Sequence, residues 1–456
     1  MPRHQAGSEI YAFELCRALA ASHHVSVLCA DYDPSRRHGH VTWRAHHELP
    51  VVEVVNNWVC ASFEDTYRPP LVGDRIAQVL RAVQPDVIHV HNLLNLSFDL
   101  PAVARAHGVP VVATLHDYAL VCPSGGQRIH RAEQYLCHVI DTQRCVRCFH
   151  DSPFHRQISF GRLAGARPVP RLMRSAAAAL SRRVPGLVGR FARAAGLLPM
   201  TKRDIDERLA AARTVFDEVD LFVAPSPSIA AEFQRLGLDR SKIRVSDYGF
   251  VPVLRRPRNG SHEAPGDHEP RRPLRVGYVG TLVWHKGVHM LLDAVRRLPA
   301  DAYELKIFGS PDVFPEYAAG LRTQAAGLPV RFMGAFDHER AAGVYAQLDV
   351  LVVPSLWLEN SPLVIHEALM AGIPVVGARI GGIADLVENG RNGLLYDPTS
   401  PGELEAMLRG LIENPDRLCG LAAALPRVKS IAEDAREWEA AYADVLQRRA
   451  AAGPAT

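Results

Sequence analysis

Two glutamates in the segment ENSPLVIHE, Glu359 and Glu367, are well suited to bind a polar ligand. Carboxylates accept hydrogen bonds from sugar hydroxyls, whereas they do not bind phosphate. The residues between them include Asn360, Ser361 and Pro362, which are types that commonly begin a helix. We therefore predict a helix from about residue 363, with Glu359 just outside its first turn and Glu367 about one turn inside it.

The run DVLVVPS (349–355) precedes this helix and reads as a buried strand. When a helix follows a parallel strand, its free N–H groups lie at the carboxyl end of the strand, where they bind anions such as phosphate. A phosphate site beside two carboxylates predicts a nucleotide sugar as the ligand. The alternative is that Glu359 lies in a solvated loop and Glu367 is a surface charge on the helix.

Short apolar runs alternate with amphipathic helical stretches in both halves of the chain. An apolar run bounded by turn residues is typical of a buried strand. Strands are predicted at 23–32, 85–92 and 109–117 in the first half, and at 274–281, 303–310, 329–336, 349–355, 373–379 and 393–397 in the second. The alternation predicts an α/β protein with doubly wound parallel sheets.

A stretch rich in proline, glycine and charge separates the two halves. We predict an N-terminal domain over 1–251, a linker over 252–272, a second domain over 273–425, and a final helix over 426–450 that crosses back to the first domain. The first domain opens without the apolar strand that normally begins such a sheet. Either this strand is missing from the reading frame, or the domain folds without a central strand. We expect the first, because loss of the strand would leave two neighbouring strands with unpaired backbone groups.

Composition and charge exclude several classes of partner. The 456 residues carry a formal net charge of +3, so we expect no nucleic acid partner. An apolar run long enough to span a membrane is absent from the sequence, and no apolar core follows the basic start. We therefore expect a location in the reducing cytoplasm, where cysteines remain thiols or bind metal.

Four of the eight cysteines have the spacing C-x14-C-x7-C-x2-C, and they are Cys122, Cys137, Cys145 and Cys148. Four thiolates in one loop fit a structural zinc ion, with His138 and His150 as substitute ligands. The alternative is four unconnected thiols. This loop and a basic insertion after it together occupy 118–203.

Residues 152–203 contain ten arginines, one lysine and no aspartate or glutamate. Apolar residues fill the gaps between the basic ones, which indicates an amphipathic surface that lies on anionic lipid. An acceptor on a lipid carrier, or a growing bacterial surface polysaccharide, would be found at such a membrane. The alternative is an ordinary helical insertion whose basic face is solvated.

The segment ENSPLVIHE resembles the E-x7-E motif of the retaining glycosyltransferases of family 4 (glycosyl transferases group 1). The resemblance extends through GYVGTLVWHKGVHMLLDAV, through the segment from LVVPS to NGLLY, and, in the first half, through AGSEIYAFELCRALA and TLHDYALVCP. It covers most of the chain except residues 152–203. It implies the GT-B fold, in which two Rossmann-like domains face a central cleft.

The resemblance also implies roles for individual residues. Glu359 would contact hydroxyls of the transferred sugar, Glu367 would bind the ribose of the nucleotide, and Lys286 would neutralise the departing diphosphate. Thr281 stands where the family usually has arginine, so it offers a hydrogen bond without a charge, and His285 is a candidate to compensate.

Further candidates are weaker when each is taken alone. His116 would contact the transferred sugar, although a histidine after an apolar strand is also typical of a structural hydrogen bond. The other donor-site candidates are Asn360 and Ser361 at the helix start, Gly7 in the N-terminal loop, and Phe332 and Gly334 beside the nucleotide base.

The implied reaction is the transfer of a hexosyl residue, with retention at the anomeric carbon, from a nucleotide-diphosphate sugar to a glycan or lipid-linked acceptor. Catalysis would rest on positioning and electrostatic stabilisation, so no cofactor or metal ion is expected for the chemistry.

The main alternative is a catalytically weak or inactive glycan-binding or scaffold protein on the same fold. A dinucleotide-dependent oxidoreductase is disfavoured because no G-x-G-x-x-G follows an early strand, and a GT-B phosphorylase because no pyridoxal-lysine context is recognisable.

Overall fold

A computed structural model describes residues 7–130, 132–165, 200–252, 272–336, 340–400 and 402–452. The predicted linker 252–272 lies outside these ranges except for its two end residues, as does most of the basic segment 152–203. The chain divides into two compact units: the first comprises Met1–Ala224, Ala230–Ser246 and Asp434–Thr456, and the second comprises Pro225–Ile229 and Asp247–Glu433.

The first unit contains two sheets and a short hairpin. Its strands are β1 (Val27–Asp31), β2 (Val41–His46), β3 (Leu49–Val55), β4 (Ile88–Val90), β5 (Val111–Thr114), β6 (Ile129–His130), β7 (Tyr135–Leu136), β8 (Leu221–Ala224) and β9 (Ile243–Val245). One sheet has the order β1-β3-β2, and a parallel sheet has the order β4-β5-β8-β9. Strands β6 and β7 form the antiparallel hairpin. The three strands predicted in this half correspond to β1, β4 and β5.

The helices of this half are α1 (Gly7–Leu19), α2 (Pro70–Val83), α3 (Leu100–Ala106), α4 (Thr142–His150), α5 (Pro153–Ala164), α6 (Lys202–Glu218) and α7 (Pro227–Arg235). Helix α6 begins with a capping box, in which Thr201 and Asp204 satisfy each other's backbone N–H groups. Strand β5 is buried along its whole length, as expected for a central strand of a parallel sheet.

The second unit is built on a six-stranded parallel sheet with the order β12-β11-β10-β13-β14-β15. The strands are β10 (Leu274–Val279), β11 (Tyr303–Phe308), β12 (Val330–Gly334), β13 (Val350–Val353), β14 (Val375–Ala378) and β15 (Gly393–Tyr396). The helices are α8 (Val288–Val295), α9 (Pro315–Gln324), α10 (Ala341–Tyr345), α11 (Leu363–Met370), α12 (Gly381–Leu386), α13 (Glu403–Glu413) and α14 (Pro415–Ala423). The last helix, α15 (Ile431–Ala452), belongs to the first unit from Asp434 onward. All six strands predicted in this half are present.

Alternate residues of each central strand enter different hydrophobic clusters. In β13, Val350 and Val352 belong to one cluster, whereas Leu351 and Val353 belong to the other. Because both faces of the strand are covered, it reads as a continuous apolar run, which is why the sequence pattern identified it. The predicted α/β class with doubly wound parallel sheets is confirmed. No helix in the described ranges is both long and apolar enough to cross a bilayer.

Candidate functional site

Strands β10 and β13 are neighbours in the sheet, and the loops that follow them bring Lys286 and Glu359 together across 73 residues of sequence. The Lys286 Nζ donates to Glu359 Oε1 at 2.6 Å. The hydroxyl of Ser355 donates to the same oxygen at 2.6 Å. Glu359 is only 5% exposed, so two donors hold this carboxylate in a site from which water is largely excluded.

Gly287 allows the close approach of these two loops. Its φ is +71°, and a Cβ added there would lie 1.8 Å from the carbonyl oxygen of Pro354. The Leu356 N–H also donates to the carbonyl oxygen of His285 at 2.8 Å. A side chain at position 287 would therefore push the turn that carries Lys286 away from the loop that carries Glu359.

Helix α11 begins at Leu363, as predicted, and carries the second glutamate of the motif. Glu367 is buried, and the hydroxyl of Tyr345 donates to its Oε2 at 2.6 Å. Burial and the neighbouring Glu367 carboxylate raise the pKa of Tyr345 well above its ordinary value. Tyr345 therefore stays protonated and acts as a fixed donor to a charged acceptor.

A third carboxylate, Asp247, holds the first turn of α11 in place. It accepts from the Ser361 hydroxyl at 2.7 Å through Oδ1, and its Oδ2 lies 2.7 Å from His366 Nε2. Burial would raise the pKa of Asp247, but the hydrogen bonds from His366 and Ser361 outweigh it and keep that pKa below its ordinary value. Ser361 thus has a structural partner in this structure, and its predicted contact with a donor stays a prediction.

The segment after β14 completes the surroundings of Glu359. The N–H of Gly382 donates to the Glu359 carbonyl oxygen at 2.7 Å, and a Cβ at Gly382 would lie 1.8 Å from the Asn360 carbonyl oxygen. Asn360 is buried at this contact. The GG of GGIAD is therefore required for α12 to begin directly against the ENSP loop.

The remaining candidates of the second unit lie on β10, β12 and their loops. Thr281 is exposed, and its carbonyl oxygen accepts from the Tyr278 hydroxyl at 2.8 Å. His285 is buried, with its ring edge against Trp357. Phe332 packs against the hydrophobic core, and Gly334 ends β12 with φ +78°. Their roles beside a nucleotide stay predictions.

In the first unit, β4 and β5 bring His91 and His116 together. His91 Nδ1 lies 2.9 Å from His116 Nε2, and the two rings stack with centroids 5.2 Å apart. Burial lowers the pKa of His91 to about 4 and that of His116 well below its ordinary value. Both rings are therefore neutral at pH 7, and one can donate to the other. His116 was predicted from sequence, whereas His91 was missed because HVHN offers several equivalent histidines and amides.

A partly open pocket lies beside this histidine pair, and its polar lining is His91, Asn92, Thr114, His116 and Asp117. Asn92 Nδ2 donates to Asp117 Oδ2 at 3.1 Å, and the Ala119 N–H donates to Oδ1 at 2.7 Å. Burial raises the pKa of Asp117 to about 6. This polar end of an otherwise apolar cavity is suited to hydroxyl groups of a ligand. Gly7, the remaining candidate of this unit, is the first residue of α1.

The four cysteines of the predicted zinc loop line one cavity in the first unit. Within the described ranges, no three His, Cys, Asp or Glu side chains already have the arrangement of a metal site. The substitute ligands His138 and His150 are not among the residues that line this cavity. The carbonyl oxygen of His138 accepts from Arg128, and the ring of His150 contacts His155.

Two family profiles match the chain. Residues 6–152 match "Glycosyltransferase Family 4", and residues 273–414 match "Glycosyl transferases group 1". The second range contains both glutamates of the E-x7-E motif and Lys286, and the first contains His91, His116 and the four clustered cysteines.

Curated relatives are similar over parts of their length. A sulfoquinovosyl transferase (SQD2) of Arabidopsis thaliana is 30% identical over 202 residues, which is 43% of this chain and 38% of that protein. A D-inositol 3-phosphate glycosyltransferase of Corynebacterium urealyticum is 28% identical over 244 residues, which is 49% of this chain and 56% of that protein. The chain thus spans about half the length of these relatives or less.

Solved structures share the fold over nearly the whole chain. HepE of Anabaena, solved with UDP and glucose, has a TM-score of 0.55 and 18% identity, and the match covers 98% of this chain and 95% of that chain. A glycosyltransferase of Rickettsia africae ESF-5 has a TM-score of 0.60 and 12% identity, with coverage of 98% and 97%. At these identities the likeness concerns the fold alone.

Proposed function

We propose a function from one premise, that the chain belongs to the family 4 glycosyltransferases of group 1 and has the GT-B fold. The proposed activity is transfer of a hexosyl residue from a nucleotide-diphosphate sugar to a glycan or lipid-linked acceptor, with retention at the anomeric carbon. The observation that carries the proposal is the ion pair between half-buried Lys286 and buried Glu359, which lies beside the start of the helix that carries Glu367.

In the proposed mechanism, each of these side chains has a separate task. Lys286 is the cation that stabilises the charge developing on the leaving diphosphate, since its ammonium group is fixed before the donor arrives. Glu359 exchanges part of its bond with Lys286 for hydroxyls of the transferred sugar. Glu367, oriented by Tyr345, accepts hydrogen bonds from the ribose. No protein nucleophile is assigned, so the rate depends on positioning and electrostatics.

The first unit supplies groups for a second substrate. The neutral His91–His116 pair can accept and donate hydrogen bonds without adding charge, and Asp117 can accept from a hydroxyl. Such groups suit the hydroxyls of a sugar acceptor or of a transferred hexose. The identity of the acceptor is part of the proposal, and the names of the relatives differ too widely to select one.

A panel of nucleotide sugars tests the activity. We expect one class among UDP-, GDP- and ADP-sugars to raise the melting temperature of the purified protein, because a ligand that binds only the folded state stabilises it by mass action. The same donor should release free nucleoside diphosphate, and NMR of the product should show the anomeric configuration of the donor. A donor that binds without any release of nucleotide over a long incubation would favour the inactive glycan-binding alternative. An inverted product would contradict retention.

The acceptor is proposed to lie at an anionic membrane surface, and the support for this is the acid-free composition of residues 152–203. In a flotation experiment at low salt, the protein should rise with vesicles that contain anionic lipid and stay behind with neutral ones. Raising the salt should abolish the association, because exposed charges are screened. Equal flotation with neutral and anionic vesicles, or none with either, would contradict the proposal.

A further inference from the structure

We propose that Cys122, Cys137, Cys145 and Cys148 bind one Zn²⁺ ion as four thiolates, and that Arg208 balances the charge of this centre. The proposal concerns a structural metal site in the first unit and does not depend on the proposed transferase activity. It starts from the spacing of the cysteines and adds the cavity they share and the buried cation beside it.

Three different elements direct the four thiols to one cavity. Cys122 follows the turn after β5, and Cys137 directly follows β7. Cys145 and Cys148 lie three residues apart on α4 and therefore share a face of that helix. The first turn of α4 is fixed by Asp141, whose side chain accepts from the Arg144 N–H at 3.0 Å. All four cysteines line the same cavity.

Arg208 is the second observation. It lies on α6, is only 4% exposed, and donates to the carbonyl oxygens of Leu120 at 2.9 Å and Ala119 at 2.5 Å. None of the ion pairs in the described part of the chain joins Arg208 to a carboxylate. A buried guanidinium without an anionic partner is costly, and such groups are normally paired.

The nearby thiols would supply the negative charge that Arg208 lacks once they lose their protons. Arg208 reaches the turn that leads to Cys122, because its guanidinium donates to the carbonyl oxygens of Ala119 and Leu120 just before that cysteine. A zinc ion with four thiolates carries two net negative charges. The two guanidiniums that line the cavity, Arg128 and Arg144, already pair with Glu232 and Glu133 respectively. Arg208 is therefore the cation whose charge the metal centre would compensate.

Metal binding in this cavity includes a rearrangement and a release of protons. Within the described ranges, no three of the possible ligands already have a ligating arrangement, so binding of the ion would bring the Cys122 loop and the β6–β7 hairpin closer to α4. The balanced step is Zn²⁺ plus four thiols giving one zinc tetrathiolate and four protons, which the solvent accepts.

Metal analysis of the full-length protein tests the site directly. Protein produced with zinc in the medium should contain about one zinc per chain, and the Cys137→Ser and Cys145→Ser variants should lose it. The matched control is Cys419→Ser, because Cys419 is a partly buried cysteine of the second unit and should retain the metal. Co²⁺ added to chelator-treated protein should give the visible bands of a tetrahedral cobalt thiolate.

A titration of the wild-type protein keeps the test valid if the cysteine variants do not fold. Zinc added to chelator-treated protein in weak buffer should release about four protons per ion. The proposed site would be overturned if protein produced with zinc contained no metal and had either four freely reactive thiols or a Cys145–Cys148 disulfide. Iron with sulfide in place of zinc would overturn the choice of metal.

A substitution of Arg208 tests the charge-balance role separately. We expect Arg208→Met to weaken zinc binding by about 10–100-fold in competition with a chelator, the range seen for groups that support metal ligands. Arg203→Met is the control, since Arg203 is on the same helix, is exposed, and pairs with Glu207. Unchanged zinc affinity in Arg208→Met would overturn the role of Arg208 while leaving the four ligands in place.

Discussion

Replacement of Lys286 by methionine should lower kcat for sugar transfer by about 10²–10³-fold, which is the usual loss when a preorganised group that stabilises developing charge is removed. Methionine keeps most of the volume of the lysine side chain and removes its charge. The Lys286 ammonium group is held at 2.6 Å from Glu359, so its charge lies beside the start of α11. Steady-state kinetics with the donor found in the thermal-shift panel would measure the loss.

A double variant separates this catalytic role from a structural one. Lys286→Met leaves the buried Glu359 carboxylate without its cation, so the free energy of unfolding should fall by about 1–3 kcal/mol. Lys286→Met with Glu359→Gln should recover much of that stability, because the unpaired charge is gone, and should remain inactive. Lys306→Met is the matched control: Lys306 is a partly buried lysine on β11 of the same unit and should leave kcat unchanged. Activity within a few-fold of wild type in Lys286→Met would contradict the proposed role.

Replacement of Glu367 by alanine should raise the dissociation constant of the nucleotide sugar by about 10–100-fold. Hydrogen bonds to a charged group contribute about 1.5–3 kcal/mol each, and the proposed ribose contact is lost with the carboxylate. The same loss should appear for the free nucleoside diphosphate, because the ribose belongs to both ligands. Isothermal calorimetry with the two ligands would measure it.

Tyr345→Phe is the control that distinguishes ligand contact from support of the helix. It removes the hydroxyl that donates to Glu367 Oε2 at 2.6 Å, yet it keeps the carboxylate. We expect a smaller loss of affinity in this variant than in Glu367→Ala, with a comparable loss of stability in both. Normal donor binding by Glu367→Ala would refute the ribose role, and equal losses of affinity in the two variants would indicate that Glu367 only supports the structure.

Local sequence patterns were sufficient to predict the strands of the second unit and the start of α11. Strands such as β13 are continuous apolar runs, and the ENSP sequence signals a helix start, so neither depends on distant residues. Strand β2 was missed because it alternates polar and apolar residues at the surface, whereas β3 is a buried, largely apolar run that the same pattern could have identified. Strands β2 and β3 pair in the antiparallel sense, whereas an alternation of strands and helices along the chain predicts parallel pairing.

The partners of the site residues were harder to predict, because they come from distant parts of the sequence. Asp247 binds Ser361 across 114 residues, and Lys286 reaches Glu359 across 73. The cation beside the cysteine cavity lies on α6, and no spacing rule connects it to the cysteines. A sequence pattern identifies residue types that can do chemistry, whereas the pairing of their charges depends on how the strands are ordered in the sheet.

The first unit combines early parts of the chain with its last helix, which has a consequence for folding during synthesis. Tyr11 donates to Asp434 at 2.7 Å, Trp438 donates to Tyr11 at 3.0 Å, and His89 contacts Tyr442, so α1 and β4 are completed by side chains of α15. On the ribosome, these contacts must wait until more than four hundred residues have been made, whereas the second unit is almost continuous in sequence. Chaperones that bind exposed apolar surface should therefore meet the early half of the nascent chain for longest, and a fragment that ends before α15 should be a substrate for proteolysis.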